Sequence, residues 1–208
     1  MTFWSLSGHP LILASASPIR ASLLEAAKLL VEVDPASVDE EAIKQAALQD
    51  GFSHDELVVV LAELKAEAVS RRRQGYILGC DQILVCEGSL FSKPQSLDEA
   101  KSHLKALQGR AHMLKTACVL FHDQKRIWHH LSTATLTMRT LSDADIDAYI
   151  TSFPEACLST PGAYQIETGG AHLFADMVGV SYDILGLPLL PLLSFLREHG
   201  LAAAPQGG

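Results

Sequence analysis

The sequence lacks what a nucleic-acid or membrane protein needs. Its 16 basic residues face 24 acidic ones, for a formal net charge of −8. A protein that grips polynucleotide phosphates wants a basic face, so no nucleic-acid partner is expected. The most apolar stretch, Leu187–Leu196, is too short for the roughly 20 residues of a membrane span and carries Pro188 and Pro191. The apolar run Leu11–Ala16 ends in small residues as a secretory leader does, but no Lys or Arg precedes it, the first being Arg20. The positive start of a leader is therefore missing. Cys80, Cys86, Cys118 and Cys157 form no C-x-x-C pair, and the nine histidines form no H-E-x-x-H, which excludes the common thiol-redox and zinc signatures. Three of these cysteines lie in apolar stretches and read as buried free thiols, which suits a reducing cytoplasm. His129–His130 reads as a strand-end pair rather than a metal site.

What is present is the balance of a globular α/β chain: 208 residues, 48% hydrophobic and 19% charged. That is enough to bury a core without disulfides. An acidic protein can still hold one small phosphorylated ligand with a few local Arg and Lys residues.

Periodicity and capping residues divide the chain. Leu11–Ala14 reads as a short buried strand, and Ser17-Pro18 opens a helix with Ser at the cap and Pro at the first helical position. Val31–Val33 is a second strand candidate. Ser53-x-x-Glu56 and Ser96-x-x-Glu99 read as capping boxes, the first opening a helix to about Arg73, the second a helix closed by Gly109. Tyr76–Val85 is rich in strand formers and ends in a turn at Glu87-Gly88. Ala111–Phe121 and Ile127–Met138 suggest a hairpin joined around His122–Lys125. Ser142 starts a helix reaching about Thr151, and Leu187–Leu196 reads as a buried C-terminal helix with Pro188 near its start and Gly200 past its end. Early alternation followed by a hairpin implies α/β with a mixed sheet. We expect one domain over residues 1–200 and a disordered tail over 201–208.

Six places carry chemistry. Ser15-Ala16-Ser17-Pro18-Ile19-Arg20 sits between a strand and a helix start, where free N–H groups, the helix dipole, two hydroxyls and a guanidinium fork favour an anion; the bland alternative is a capped helix with a solvated Arg. Asp81 lies inside an apolar run, and a buried carboxylate needs a metal, a Lys or a hydrogen-bond network beside it. Lys65, in Leu61-Ala62-Glu63-Leu64-Lys65-Ala66, and Lys93, in Lys93-Pro94, each read alone as ordinary surface lysines. Asp39-Glu40-Glu41 is an acidic cluster or simply the first turn of a helix, and by itself the helix start is the better reading. Gly162-Ala163-Tyr164-Gln165-Ile166-Glu167, flanked by Pro161 and by Gly169-Gly170, suggests a polar strand whose backbone approaches a ligand, with Tyr164 stacking on it or bonding to it.

Taken in order, these pieces resemble the Maf family. That family shows S-x-S-P-x-R, an acidic pair near residue 40, L-A-x-x-K-A, G-x-D-[TQ], K-P and G-A-Y-x-I; here these are Ser15–Arg20, Asp39–Glu41, Leu61–Ala66, Gly79–Gln82, Lys93-Pro94 and Gly162–Ile166, with Gly186-Leu187-Pro188 like the family's end. The resemblance implies a mixed, twisted α/β fold with a substrate cleft, similar to inosine-triphosphate pyrophosphatases, and a homodimer. It implies hydrolysis of a nucleoside triphosphate between its α- and β-phosphates with Mg²⁺ or Mn²⁺. The proton acceptor falls on Asp81, the phosphate-binding residues on Ser15, Ser17, Arg20, Lys65 and Lys93, and the metal on Glu40 with Asp81. Three positions separate the family's substrate groups. The thymidine/uridine-triphosphate group carries Arg, Thr and Gln; the 7-methylguanosine-triphosphate group carries Trp, Gln and Glu. This chain has Ile19, Gln82 and Glu167, two matches to the second group and one to neither. The competing readings are an inosine- or xanthosine-triphosphate pyrophosphatase and a non-enzymatic nucleotide sensor that inhibits septum formation.

Overall fold

In the computed structural model, which describes residues 5–6 and 9–203, the elements in chain order are β1 (Ser5–Leu6), β2 (Leu11–Leu13), α1 (Pro18–Ala26), β3 (Val31–Val33), α2 (Glu40–Gln49), α3 (His54–Ser70), β4 (Tyr76–Cys86), β5 (Ser89–Phe91), α4 (Leu97–Leu107), β6 (Ala111–His122), β7 (Lys125–Met138), α5 (Asp143–Ser152), α6 (Pro154–Ser159), β8 (Phe174–Val178), α7 (Ser181–Ile184), α8 (Leu189–Glu198) and β9 (Ala202–Ala203), with single 3-10 turns at Pro161–Ala163 and Gly170–Leu173. Seven strands form one sheet in the order β3-β2-β4-β6-β7-β8, with β5 paired on β4. β2 runs parallel to both β3 and β4, whereas β5 and β8 pair antiparallel with β4 and β7. The sheet is therefore mixed, as expected.

Local chemistry sets the turns. β6 and β7 are joined by Asp123 and Gln124 alone, both at positive φ (49° and 62°), as are Glu87 and Gly88 (48° and 80°) between β4 and β5. Two consecutive left-handed residues are the twist-compatible solution for a two-residue hairpin. Ser53 and Glu56 form the full capping box of α3. At α4 the exchange is incomplete: Ser96 caps Glu99 N, but the Glu99 carboxylate accepts from Gln95 N instead of Ser96 N. α8 ends where Gly200 takes φ +65°, and the bonds Gly200 N–H to Arg197 O and Leu201 N–H to Leu196 O close its last turn. Beyond it, Ala202–Ala203 pair antiparallel with Ser5–Leu6, so the expected disordered tail starts no earlier than residue 204; the remainder of that tail lies outside the described residues.

The chain clusters into two units: residues 1–82, 116–132 and 181–208, and residues 83–115 and 133–180. The long strands β4, β6 and β7 contribute to both. In the first unit, Leu11, Leu13, Leu78, Cys80, Cys118 and Leu120 form one apolar cluster with Leu24 of α1 and Leu192 and Leu196 of α8. Side chains alternate along a strand, so Ile77, Gly79 and Asp81 point to the opposite face. In the second unit, Gly162 closes against Leu84, Leu107 and Tyr164.

Candidate functional site

On that opposite face of β4, α3 lies unusually close. A Cβ built on Gly79 would stand 2.1 Å from Ala62 O and 2.7 Å from Ala66 N. Only glycine lets the helix backbone settle onto the strand, and Ala62 and Ala66, both fully buried, keep the facing helix surface low. Lys65 shares that helix face, since residues three and four apart are neighbours. Asp81 shares the strand face with Gly79, two residues on. The close approach thus brings Lys65 Nζ onto Asp81 Oδ1, and a second carboxylate, Glu40 Oε1, meets the same ammonium at 2.7 Å. Asp81 is 4% exposed and Lys65 7%. The isolated carboxylate read from the sequence has its compensating partner, and the lysine that looked like a surface residue is buried. Asp81 Oδ2 has no hydrogen-bond partner among the described residues.

The Asp39–Glu41 cluster is the start of a helix: Asp39 caps α2 by accepting from Ala42 N, and Glu40 and Glu41 occupy its first turn. Glu40 nonetheless reaches Lys65. The helix reading and the site reading hold at once, because the capped start of α2 is what aims Glu40.

Arg20 is buried on α1. Its Nε donates to Gly186 O at 2.7 Å, and its Nη1 donates to Ser15 Oγ and Cys80 O, each at 3.0 Å. Arg20 is therefore not the solvated arginine of the bland alternative. Nε and Nη1 clamp α1 to β4 and to the segment before α8, leaving Nη2 as the group that can face a ligand. Gly186 belongs to this site for a steric reason: a Cβ there would sit 3.3 Å from Arg20 Nε and Nη2, and its φ is +89°. Ser15 Oγ also accepts from Ser17 N–H at 3.3 Å. Ser17 precedes α1 in extended geometry, but its hydroxyl makes no cap, and Pro18 follows. The N–H groups of Ile19 and Arg20 in this first turn are therefore left without a side-chain cap, which suits an anion. Ile19 itself is half-buried.

Gln82 faces away from Asp81. Its Nε2 donates to Thr116 Oγ1 at 2.8 Å and to the carbonyls of Asp183 and Ile184 at 3.0 and 3.2 Å, while Thr116 Oγ1 donates to Asp183 O. A flipped amide would set Oε1 against two carbonyl oxygens. The network therefore fixes the amide, with Oε1 as the acceptor left over.

Lys93, Tyr164 and Glu167 belong to the second unit. Lys93 and Glu167 are exposed. Tyr164 is not: at 4% exposure its hydroxyl pairs with His112 Nε2 at 2.7 Å, and its ring meets Phe174 edge-on at 4.8 Å. Its expected role of stacking on a ligand is corrected to a core role, and burial drives its hydroxyl pKa upward. The segment is also no strand. Gly162 and Ala163 both take positive φ (77° and 63°), which turns the chain at the point where a strand would have to continue extended.

All four cysteines are free and buried, as read from the sequence. His129 and His130 lie inside β7, where the His130 ring stacks on Trp128. Among the described residues, no group of three or more His, Cys, Asp or Glu side chains is placed to hold a metal, and no helix is long and apolar enough to cross a membrane.

Known proteins bear on this arrangement. The family model described as Maf-like protein matches residues 10–199. A protein of Granulibacter bethesdensis named nucleoside triphosphate pyrophosphatase is 45% identical over 91% of this chain and 96% of its own length. Two proteins named 7-methyl-GTP pyrophosphatase, from Mesorhizobium japonicum and Rhizobium meliloti, are 46% and 43% identical, each over 91% of this chain and 96% of their own length.

Proposed function

The chain belongs to the Maf family, and from that premise we propose that it is a nucleoside triphosphate pyrophosphatase. It cleaves between the α- and β-phosphates and prefers 7-methylguanosine triphosphate. The observation that carries the reading is the buried Lys65–Asp81 pair with Glu40 on the same ammonium, beside a helix start that no side chain caps. Burying charges costs several kcal/mol, and a cluster of this kind suits chemistry at a charged centre.

Phosphoryl transfer asks the protein for positioned charge and an oriented water. Asp81 Oδ2 orients the attacking water and accepts its proton. Lys65 fixes Asp81 and Glu40 with two of its three N–H donors and turns the third toward a phosphate oxygen. The free N–H groups at the start of α1, the Ser17 hydroxyl and Arg20 Nη2 bind the remaining phosphate charge. Lys93, exposed on the second unit, is assigned to phosphate binding on the family resemblance alone. The family's divalent cation fits the donors present. Glu40 and Asp81 offer hard carboxylate oxygens, and two carboxylates completed by substrate phosphates are a usual holder of Mg²⁺. When bound, that cation neutralises phosphate charge in the transition state.

The base preference rests on Gln82 and Glu167. The acceptor left on Gln82, Oε1, suits an N–H edge such as that of guanine. The exposed Glu167 carboxylate favours a cationic 7-methylguanine ring and disfavours the carbonyl acceptors of uracil and thymine. The names of the Mesorhizobium and Rhizobium relatives agree. Pyrophosphate release over a panel of nucleotides, with and without Mg²⁺, tests both levels. We expect Mg²⁺-dependent turnover led by 7-methylguanosine triphosphate. Fastest turnover of thymidine and uridine triphosphates, or of inosine and xanthosine triphosphates, would overturn the base preference. Full activity in excess chelator would remove the metal.

A further inference from the structure

We propose that Cys80 and Cys118 are a dithiol that hydrogen peroxide converts into an intrachain disulfide, and that this oxidation lowers turnover at the adjacent Asp81 site. The two sulfurs lie 2.9 Å apart, and both residues are 0% exposed. They sit on β4 and β6, which neighbour one another in the sheet. Gln82 also meets Thr116, so a step forward along β4 is a step back along β6, and Cys80 stands opposite Cys118 as in an antiparallel pair. Residues opposite each other in such a pair have Cα atoms about 4.5–5.5 Å apart, inside the range a disulfide spans. The other two cysteines have no such arrangement: the Cys86 thiol contacts Ala111 O at 3.7 Å, and no sulfur lies against Cys157 among the described residues.

The chemistry balances with peroxide as the oxidant. One thiol sulfur attacks a peroxide oxygen, the O–O bond breaks, and a sulfenic acid and one water result. The second sulfur displaces the sulfenic oxygen, forming the S–S bond and releasing a second water. Two thiols have lost two electrons and two protons; the peroxide has been reduced to two waters. The second step is intramolecular and therefore fast. Both sulfurs are fully buried, so the oxidation waits on local opening of the strands, and its rate follows that opening.

The consequence follows from what flanks Cys80. Gly79 carries the weight of α3, Asp81 holds Lys65, and the Cys80 carbonyl itself accepts from Arg20. An S–S bond of about 2.05 Å draws β4 toward β6 at that residue, and a close-packed interior transmits the shift. Displacements of about 1 Å at a reacting centre can cost on the order of a hundredfold in rate.

The test treats the purified wild type and Cys118→Ala with hydrogen peroxide. Disulfide-linked peptides are mapped by mass spectrometry, and pyrophosphate release is measured before and after dithiothreitol. We expect a Cys80–Cys118 cross-link in the wild type, with turnover falling roughly tenfold to a hundredfold and returning on reduction. Cys118→Ala should keep its turnover through the same treatment. Absence of the cross-link, or a cross-link that leaves turnover unchanged, overturns the proposal. The turnover clause rests on the pyrophosphatase reading. If the untreated protein released no pyrophosphate, that reading would fail by itself, and the cross-link map would still decide the dithiol.

Discussion

In the first unit the buried polar groups include a carboxylate, Asp81, an ammonium, Lys65, and a guanidinium, Arg20, each held by named partners. In the second, the buried polar pair is a neutral imidazole and a phenol, and His112 Nδ1 has no hydrogen-bond partner among the described residues. The difference teaches where the chemistry lies. Charges are costly to bury unless they are paired or hydrogen-bonded, so the first unit's ions form the candidate site, and Gly79 permits the packing that pairs Lys65 with Asp81. A neutral pair costs far less to bury, and His112–Tyr164–Phe174 serves to hold the turn before Glu167. Burial pushes the His112 pKa down to about 4, so this imidazole stays uncharged at neutral pH.

Breaking the charged cluster has the largest expected effect. Asp81→Asn should keep the fold and cut turnover by about 10²–10⁴, read as pyrophosphate release alongside a thermal unfolding curve. Turnover close to wild type would return Asp81 to a structural role. Gly79→Ala attacks the same site through its frame. A Cβ 2.1 Å from a backbone carbonyl must push α3 off the strand, costing about 1–3 kcal/mol as overpacking does and displacing Lys65, so both stability and kcat should fall. Normal urea stability in Gly79→Ala would contradict the packing argument.

These two residues also show what the sequence carried. Gly79, Asp81, Lys65 and the small residues around them were legible as motifs, and periodicity placed the helices and strands that bear them. Their junction was not legible. Spacing says which residues share a face, not that the Ala62 carbonyl would rest on Gly79. The groups around Arg20 and Gln82 were missed for a related reason: Gly186 O, Cys80 O, Asp183 O and Ile184 O are backbone atoms, which side-chain patterns do not announce. Tyr164 was misjudged because Ala163 adopts φ 63°, a conformation that alanine does not signal, and the resulting turn swings the ring inward. At Ser17 the hydroxyl suggested a cap that the structure does not make.

Smaller perturbations sharpen the contrast. If Arg20 and Lys93 bind phosphate as proposed, Arg20→Ala and Lys93→Ala each remove a charge-assisted contact worth about 1.5–3 kcal/mol, so kcat/KM should fall roughly tenfold to a hundredfold; unchanged values in both would return them to scaffold and solvent. In the second unit the signature is one of pH. An imidazole whose folded pKa lies below its unfolded value binds fewer protons when folded. His112 therefore contributes its full stability above about pH 6.5 and loses it as pH falls toward 4, at up to about 1.4 kcal/mol per pH unit. Urea unfolding at pH 7 and pH 5 should show a steeper loss in wild type than in His112→Gln, with no comparable effect on KM at pH 7; equal losses would contradict the burial argument. The smallest effect is expected from Glu167→Gln, which should leave kcat nearly intact while narrowing the preference for 7-methylguanosine triphosphate over uridine triphosphate.

If the Lys65–Asp81–Glu40 cluster serves water attack as proposed, a nucleotide is split between its α- and β-phosphates. Phosphorus NMR of the products formed by the wild-type protein from 7-methylguanosine triphosphate and Mg²⁺ tests it most directly. Nucleoside monophosphate and pyrophosphate are expected in equal amounts. Orthophosphate with nucleoside diphosphate, or no product at all, would contradict it.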